Sequence, residues 1–155
     1  MRNAATLPIE GSIDVAPPLM DRSFGSYRVI DEIQRGGMGE VFLAERTAAD
    51  GTKSKVVLKR LLASFIRDEQ YVAMFSAEAN VMSRLEHPNI VRVIDVPVIS
   101  GMECLAMEYV HGRNVQQVLQ TCRQLGTVMP PQMAIFIAVE VLNALDYAHR
   151  FVLPD

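Results

Sequence analysis

Apolar and polar positions alternate along residues 27–60, and this period of two predicts β-strands. A glycine-rich stretch, Gly36-Gly37-Met38-Gly39, and a strong turn signal, Asp50-Gly51, divide the segment into three runs. The strands are predicted over residues 27–34, 40–46 and 55–60. Because short turns join antiparallel neighbours, the three strands are predicted to form an antiparallel meander.

The period changes to that of a helix in the next segment. Apolar residues recur at three- and four-residue steps between Asp68 and Glu86, which predicts a helix that Asp68 caps and Pro88 stops. Two strands are then predicted over 90–99 and 102–110, and two helices over 114–125 and from Pro130 or Pro131 to about His149. Three strands, a helix, two strands and then helices are typical of an α+β fold.

Composition and charge exclude several classes of protein. With 155 residues, 50% of them apolar and 21% charged, the chain has a globular composition. A net charge of −3 argues against binding nucleic acid through bulk positive charge. No apolar run reaches the roughly 18 residues of a membrane helix, and the two cysteines cannot form a disulfide framework, so we expect a cytoplasmic protein. Residues 1–26 have prolines, glycines and little periodicity, which predicts a flexible leader.

The glycine-rich stretch is the first candidate for chemistry. Three glycines in four residues allow the backbone to approach a ligand closely and to turn its N–H groups toward it, and phosphate is a common ligand of such loops. A dinucleotide-binding fingerprint would require a helix directly after the glycines, but Val41-Phe42-Leu43 continues as a strand. The alternative is a glycine-rich turn without a ligand.

Lys59 and Glu78 form the second candidate. Lys59 interrupts the apolar run Val56-Val57-Leu58, where it is either a solubilising lysine of an edge strand or a cation held near the glycines. Glu78 falls within the apolar face of the predicted helix, and a buried carboxylate is costly unless a cation pairs with it. We therefore predict that Glu78 pairs with Lys59, whereas Arg60, the next residue along the strand, is expected on a solvated face.

Taken in this order, the residues resemble the protein kinase family, specifically bacterial serine/threonine kinases of the eukaryotic-like type. The resemblance runs from Tyr27 to about Arg150. In the first part of this range the matching motifs are Ile33–Val41 as the glycine-rich loop, Val56-Val57-Leu58-Lys59 as the lysine strand and Glu78 on the long helix. They are followed by His87-Pro88-Asn89-Ile90-Val91 after that helix, Met107–Gly112 as the hinge and Ala144–His149 as the end of a C-lobe helix. It implies a kinase N-lobe and hinge over 27–112, with a five-stranded antiparallel sheet and one long helix. Partial C-lobe helices over 113–150 and a tail over 151–155 would follow.

The resemblance also implies a ligand and a reaction. Relatives of this kind bind ATP with Mg²⁺ and transfer the γ-phosphoryl group to a serine or threonine of a protein. By the resemblance, Lys59 would hold the phosphates and be oriented by Glu78, and the residues that bind ATP would be Ile33, Gly36, Gly37, Met38, Gly39, Val41, Val57, Lys59, Met107, Glu108 and Val110. Two positions depart from the family pattern, because Gln34 stands where glycine is usual and Val57 where alanine is common.

The catalytic motifs of the family have no counterpart in these 155 residues. Phe151 follows His149-Arg150 where the catalytic aspartate would stand, and no Asp-Phe-Gly sequence is present. No catalytic residue and no magnesium ligand is therefore assigned. The last predicted helix is apolar nearly all round, which indicates missing cover. We expect a truncated kinase domain that is inactive alone. The alternatives are a non-catalytic module that binds nucleotide or protein, and an interrupted reading frame.

Overall fold

The structure is a computed structural model, and it describes residues 23–152. Most of the predicted leader and residues 153–155 of the predicted tail lie outside this range. At the end of the predicted leader, Ser23–Phe24 forms a short strand, β1, whose residues pair with Arg28 and Tyr27. Gly25, with a φ of 57°, makes the tight turn between the paired residues. The sheet therefore begins before the predicted boundary at residue 27.

The three strands of the predicted meander are present and long. They are β2 Tyr27–Arg35, β3 Gly39–Thr47 and β4 Lys53–Leu61. The register between β3 and β4 is continuous from the pair Gly39 and Leu61 to the pair Thr47 and Lys53, whereas β2 slips twice against β3. The uninterrupted register places Val41 directly opposite Lys59.

The two later strands are divided, which corrects the prediction of one strand over 90–99 and one over 102–110. The observed strands are β5 Val93–Asp95, β6 Val98–Ile99, β7 Met102–Glu103 and β8 Leu105–Glu108. Pro97 separates β5 from β6 because it has no N–H to donate, and its carbonyl accepts a hydrogen bond from Cys104 N at 2.8 Å. The main sheet has six antiparallel strands in the order β1-β2-β3-β4-β8-β5, and β6 and β7 form a separate hairpin.

Three α-helices complete the described chain: α1 Glu69–Met82, α2 Val115–Gln124 and α3 Pro131–Arg150. Asp68 caps α1 as predicted, its carboxylate accepting from Gln70 N at 3.0 Å. The helix ends four positions before the predicted Glu86, because the N–H groups of Arg84 and Leu85 bond three residues back, a tighter turn than the α-helix.

Each face of the main sheet contributes residues to a different apolar cluster. One cluster consists of Tyr27, Val29, Phe42, Ala44, Val56, Leu58, Ile99, Cys104 and Ala106. Burial raises the pKa of the Cys104 thiol to about 11, which fits a core position rather than a reactive one. On the opposite face, Phe75 and Ala79 of α1 pack against Leu105 of β8. The helix is therefore held against the face on which Lys59 lies.

The helix α3 makes limited contact with the rest of the described chain. Asn89 Nδ2 donates to the Glu140 backbone oxygen at 3.1 Å, and the rings of His87 and Tyr147 lie 5.2 Å apart. Much of its apolar surface is exposed, including Phe136 and Leu142. No helix within residues 23–152 has the length and apolarity required to cross a membrane.

Candidate functional site

An ion pair links the sheet to α1. Lys59 Nζ lies 2.5 Å from Glu78 Oε1, and the Phe75 ring centroid is 6.0 Å from the same nitrogen. The structure thus brings together the two residues that the sequence analysis paired. The Glu78 side chain is 41% exposed and that of Lys59 is 31% exposed. The carboxylate is therefore more exposed than its predicted place within the apolar face of the helix implies. It lies at the edge of the apolar face of α1, where the cleft opens to solvent.

The glycine-rich stretch forms a tight hairpin between β2 and β3. Gly36 N donates to the Gly39 oxygen at 2.8 Å, and Leu62 N, just beyond β4, donates to the Met38 oxygen at 3.1 Å. A Cβ atom at Gly39 would lie 2.9 Å from the Arg60 carbonyl oxygen, whereas one at Gly37 would meet nothing within 4 Å. Glycine at position 39 is therefore required by the neighbouring strand, in addition to any role toward a ligand.

A cavity of about 230 Å³ lies between the hairpin, β4 and α1. Its lining includes both members of the ion pair and two residues of the hairpin, and the full set is Met38, Gly39, Lys59, Leu61, Tyr71, Met74, Phe75 and Glu78. Sequence reasoning did not assign Leu61, Tyr71 or Met74 to the site. Their spacing in the sequence places them on the same faces as the ion pair. Leu61 is two residues from Lys59 on a strand, and Tyr71 and Met74 precede Glu78 by about two turns and one turn of the helix.

An apolar strip continues from Lys59 along the same face of the sheet. Val41 is the register partner of Lys59, and Val57 is the partner of Met107 on β8. All three apolar residues are half-buried. The strip can pack against a flat apolar ligand. Of the other predicted site residues, Ile33, Met38 and Val110 are exposed.

The predicted hinge has one backbone donor already in use. Glu108 N donates to the Arg92 oxygen at 3.0 Å, and the Glu108 carboxylate accepts from Arg92 N at 2.8 Å. A ligand at this edge would therefore meet the carbonyl of Glu108 rather than its N–H. Val110, two residues beyond the end of β8, is 64% exposed, which leaves room for a ligand beside it.

Within residues 23–152, no group of three or more His, Cys, Asp or Glu side chains is arranged to hold a metal ion. For an anionic ligand, the cavity lining offers the cation Lys59. The charge on such a ligand would meet Lys59 first, because its ammonium lines the cavity.

Comparison with known proteins identifies the family. A family model described as protein kinase domain matches residues 27–153. The chain belongs to the protein kinase family. This membership confirms the predicted fold class, an α+β kinase N-lobe followed by part of a helical C-lobe. The sheet has six strands rather than the predicted five, because β1 adds an edge strand.

Similar kinases are found among curated proteins and solved structures. Tyrosine-protein kinase MasK of Myxococcus xanthus is 30% identical over 148 residues, covering 94% of this chain and 22% of MasK. Serine/threonine-protein kinase pkn3 of Myxococcus xanthus is 40% identical over 124 residues, covering 79% of this chain and 21% of pkn3. The crystal structure of the Mycobacterium tuberculosis PknI kinase domain matches with a TM-score of 0.67 and 31% identity, covering 84% of this chain and 50% of that one. The chain thus spans about a fifth of these curated kinases and half of the solved domain.

Proposed function

We propose that this kinase-family chain binds ATP in the cleft between the sheet and α1, with Lys59 on the phosphates. The observation that carries the proposal is the 2.5 Å contact between Lys59 and Glu78 beside the glycine hairpin. A carboxylate that holds the ammonium in place leaves its remaining N–H donors free for phosphate oxygens. The backbone N–H groups of Gly37 and Met38, at the hairpin tip, would be further donors to the phosphates.

The adenine would lie against the apolar strip of Val41, Val57 and Met107. Its polar edge would meet the carbonyl of Glu108 and the backbone of Val110, since the Glu108 N–H is already bonded to Arg92. Ile33 and Gly36 would cover the nucleotide from the β2 side of the hairpin. The bulk of Val57, where the family commonly has alanine, narrows this part of the cleft. Mg²⁺ would be held through the phosphates of ATP, since sites of this kind bind it largely through substrate phosphates and water.

The whole protein would transfer the γ-phosphoryl group of ATP to a protein hydroxyl, as its family membership supports. We favour serine or threonine as the acceptor, because pkn3, at 40% identity, is named a serine/threonine kinase and the tyrosine kinase MasK is 30% identical.

We expect the 155-residue polypeptide by itself to bind ATP without turning it over. Neither a His-Arg-Asp nor an Asp-Phe-Gly sequence occurs in it, so the base and the metal ligands of the family reaction are not supplied. Transfer of radiolabelled γ-phosphate to a general protein acceptor should equal the background of the Lys59→Ala variant. Turnover well above that background would contradict the expectation and place the missing groups elsewhere in the chain.

The binding proposal is tested by comparing ATP with adenosine, which lacks the phosphates. By calorimetry with Mg²⁺ present, Lys59→Met should weaken ATP binding at least about tenfold and leave adenosine binding within about twofold. The matched control is Lys53→Met, since Lys53 lies on the same strand but contacts Glu45, away from the cavity. Equal losses in both variants would refute the assigned role of Lys59. If the unaltered chain binds neither ligand, the alternative of a protein-binding module is favoured.

A further inference from the structure

A three-residue ion network crosses the sheet at the base of the glycine hairpin. Glu40 Oε1 accepts from Arg60 Nε at 2.5 Å, and Glu40 Oε2 accepts from Arg35 Nη2 at 2.9 Å. The three residues are also register partners, Arg35 of β2 with Glu40 of β3 and Glu40 with Arg60 of β4. One carboxylate therefore joins three neighbouring strands at a single level of the sheet.

The centre of this network is closed to water. The side chains of Glu40 and Arg60 are 3% and 4% exposed, and the Arg60 guanidinium lies 5.4 Å from the ring centroid of Phe42. Arg60 is thus not on a solvated face, contrary to the expectation from the sequence. Arg35 differs, because its side chain is 61% exposed and also lies 3.4 Å from Glu32. Both carboxylate oxygens of Glu40 are occupied, so its orientation is fixed from two sides.

The network is connected to the nucleotide cleft through the backbone. Arg35 and Glu40 stand on the two stems of the hairpin, directly before and after its glycine-rich turn. Arg60 follows Lys59, whose register partner Val41 follows Glu40. Since neighbouring residues of a strand point to opposite faces, the network holds the backbone of this region while Lys59 and Val41 face the cleft.

We infer that Glu40 is a positioning residue that, with Arg35 and Arg60 as its two anchors, holds the glycine hairpin at a fixed distance from the Lys59 ammonium. The inference rests on the proposed ATP site and adds to it a device that sets the position of the loop over the phosphates. Neutralising the exposed anchor should loosen the β2 stem of the hairpin while the buried pair of Glu40 and Arg60 keeps the sheet intact.

The test is Arg35→Gln, compared with Arg28→Gln as a matched control. Arg28 lies on the same strand, its side chain is 50% exposed and it pairs with Glu45 at 3.4 Å, at the end of β2 away from the hairpin. Two amides report on the hairpin directly: Gly36 N, bonded to Gly39, and Leu62 N, bonded to Met38. Their hydrogen exchange should be about fivefold faster in Arg35→Gln and unchanged in Arg28→Gln.

Nucleotide affinity separates positioning from general loosening of the fold. In Arg35→Gln, binding of ATP should weaken about fivefold and binding of adenosine should stay within about twofold, because only the phosphates of ATP reach beneath the glycine-rich turn itself. Unchanged exchange of both amides, or equal loss of both ligands, would overturn the inference. If the unaltered chain binds no ATP, the proposed function fails, but faster exchange in Arg35→Gln alone would still support Glu40 and its anchors as the device that holds the hairpin.

Discussion

Replacing Glu40 by alanine should lower the free energy of unfolding by about 3–5 kcal/mol, because the buried guanidinium of Arg60 would lose its counter-charge. The Glu40 and Arg60 side chains are almost completely buried and 2.5 Å apart. Removing one partner of such a pair leaves a desolvated charge with no compensation, which costs far more than the pair itself contributes. Against a typical total stability of about 5–15 kcal/mol, the loss would be visible as a large shift of the urea unfolding midpoint.

Glu45→Ala is the matched control for this experiment. Glu45 lies on the same strand and makes two ion pairs, with Lys53 at 3.0 Å and Arg28 at 3.4 Å, but both cations are exposed and the Glu45 side chain is itself 23% exposed. The hydrogen bond from Lys53 lowers the pKa of Glu45, yet an exposed pair contributes little to stability. The unfolding midpoint of Glu45→Ala should therefore stay close to that of the unaltered chain. Similar losses in Glu40→Ala and Glu45→Ala would contradict the importance given to burial.

A double substitution distinguishes lost charge compensation from lost packing. In Glu40→Leu with Arg60→Met, both buried charges are replaced by apolar side chains of comparable length. Such replacements are often neutral or stabilising, so the double variant should recover most of the stability that Glu40→Ala loses. If it were as unstable as Glu40→Ala, the cost would come from packing rather than from the unpaired guanidinium.

The contact between Lys59 and Glu78 could be predicted from two sequence patterns, the alternation of a strand and the period of a helix. Alternation along β4 places Lys59 and Val57 on one face, and the helical period places Glu78 beside the apolar residues of α1 that meet that face. The exposure of Glu78 could not be predicted in the same way. It depends on how far the cleft beside α1 stays open, which is a property of packing among elements distant in sequence.

The same alternation gives only part of the signal for the ion network. It places Arg60 with Val56 and Leu58, and Glu40 with Phe42 and Ala44, on the face that forms the first apolar cluster. The sequence analysis expects Arg60 on a solvated face, because arginine side chains are mostly exposed in folded proteins. The register between β3 and β4 decides otherwise, since it sets the two opposite charges directly across from each other. Only the pairing of strands, not either strand alone, reveals this.

The short strands could not be predicted from periodicity. A strand of two residues, such as β1 or β6, is too short to show a repeat. The strand β1 depends on the turn at Gly25, and β6 is separate from β5 because Pro97 has no N–H to donate. Such elements are fixed by the backbone hydrogen bonds that neighbouring segments leave open. The sequence thus predicts the long elements that carry the site better than the edges that close the sheet.

Substituting Gly39 by alanine should cost about 2 kcal/mol of stability, whereas Gly37→Ala should have almost no effect. An added Cβ at position 39 would come within 2.9 Å of the Arg60 carbonyl oxygen, a backbone atom that cannot move without shifting β4. The same methyl group at position 37 meets open space. The two variants carry one identical change two residues apart in the same hairpin, so their difference in urea unfolding isolates the contact between the strands.

The effect of Gly39→Ala should extend to the ligand, because the displaced backbone carries Lys59. Lys59 directly precedes Arg60, so a shift of β4 that relieves the clash also moves the ammonium relative to the hairpin. We expect ATP binding by Gly39→Ala to weaken by about tenfold under conditions where the variant is still folded, with Gly37→Ala unchanged. Gly37→Ala could instead lose as much ATP affinity as Gly39→Ala while keeping the stability of the unaltered chain. In that case both glycines would act on ATP binding through contact with phosphate alone. Strand packing would then not be the reason for glycine at position 39.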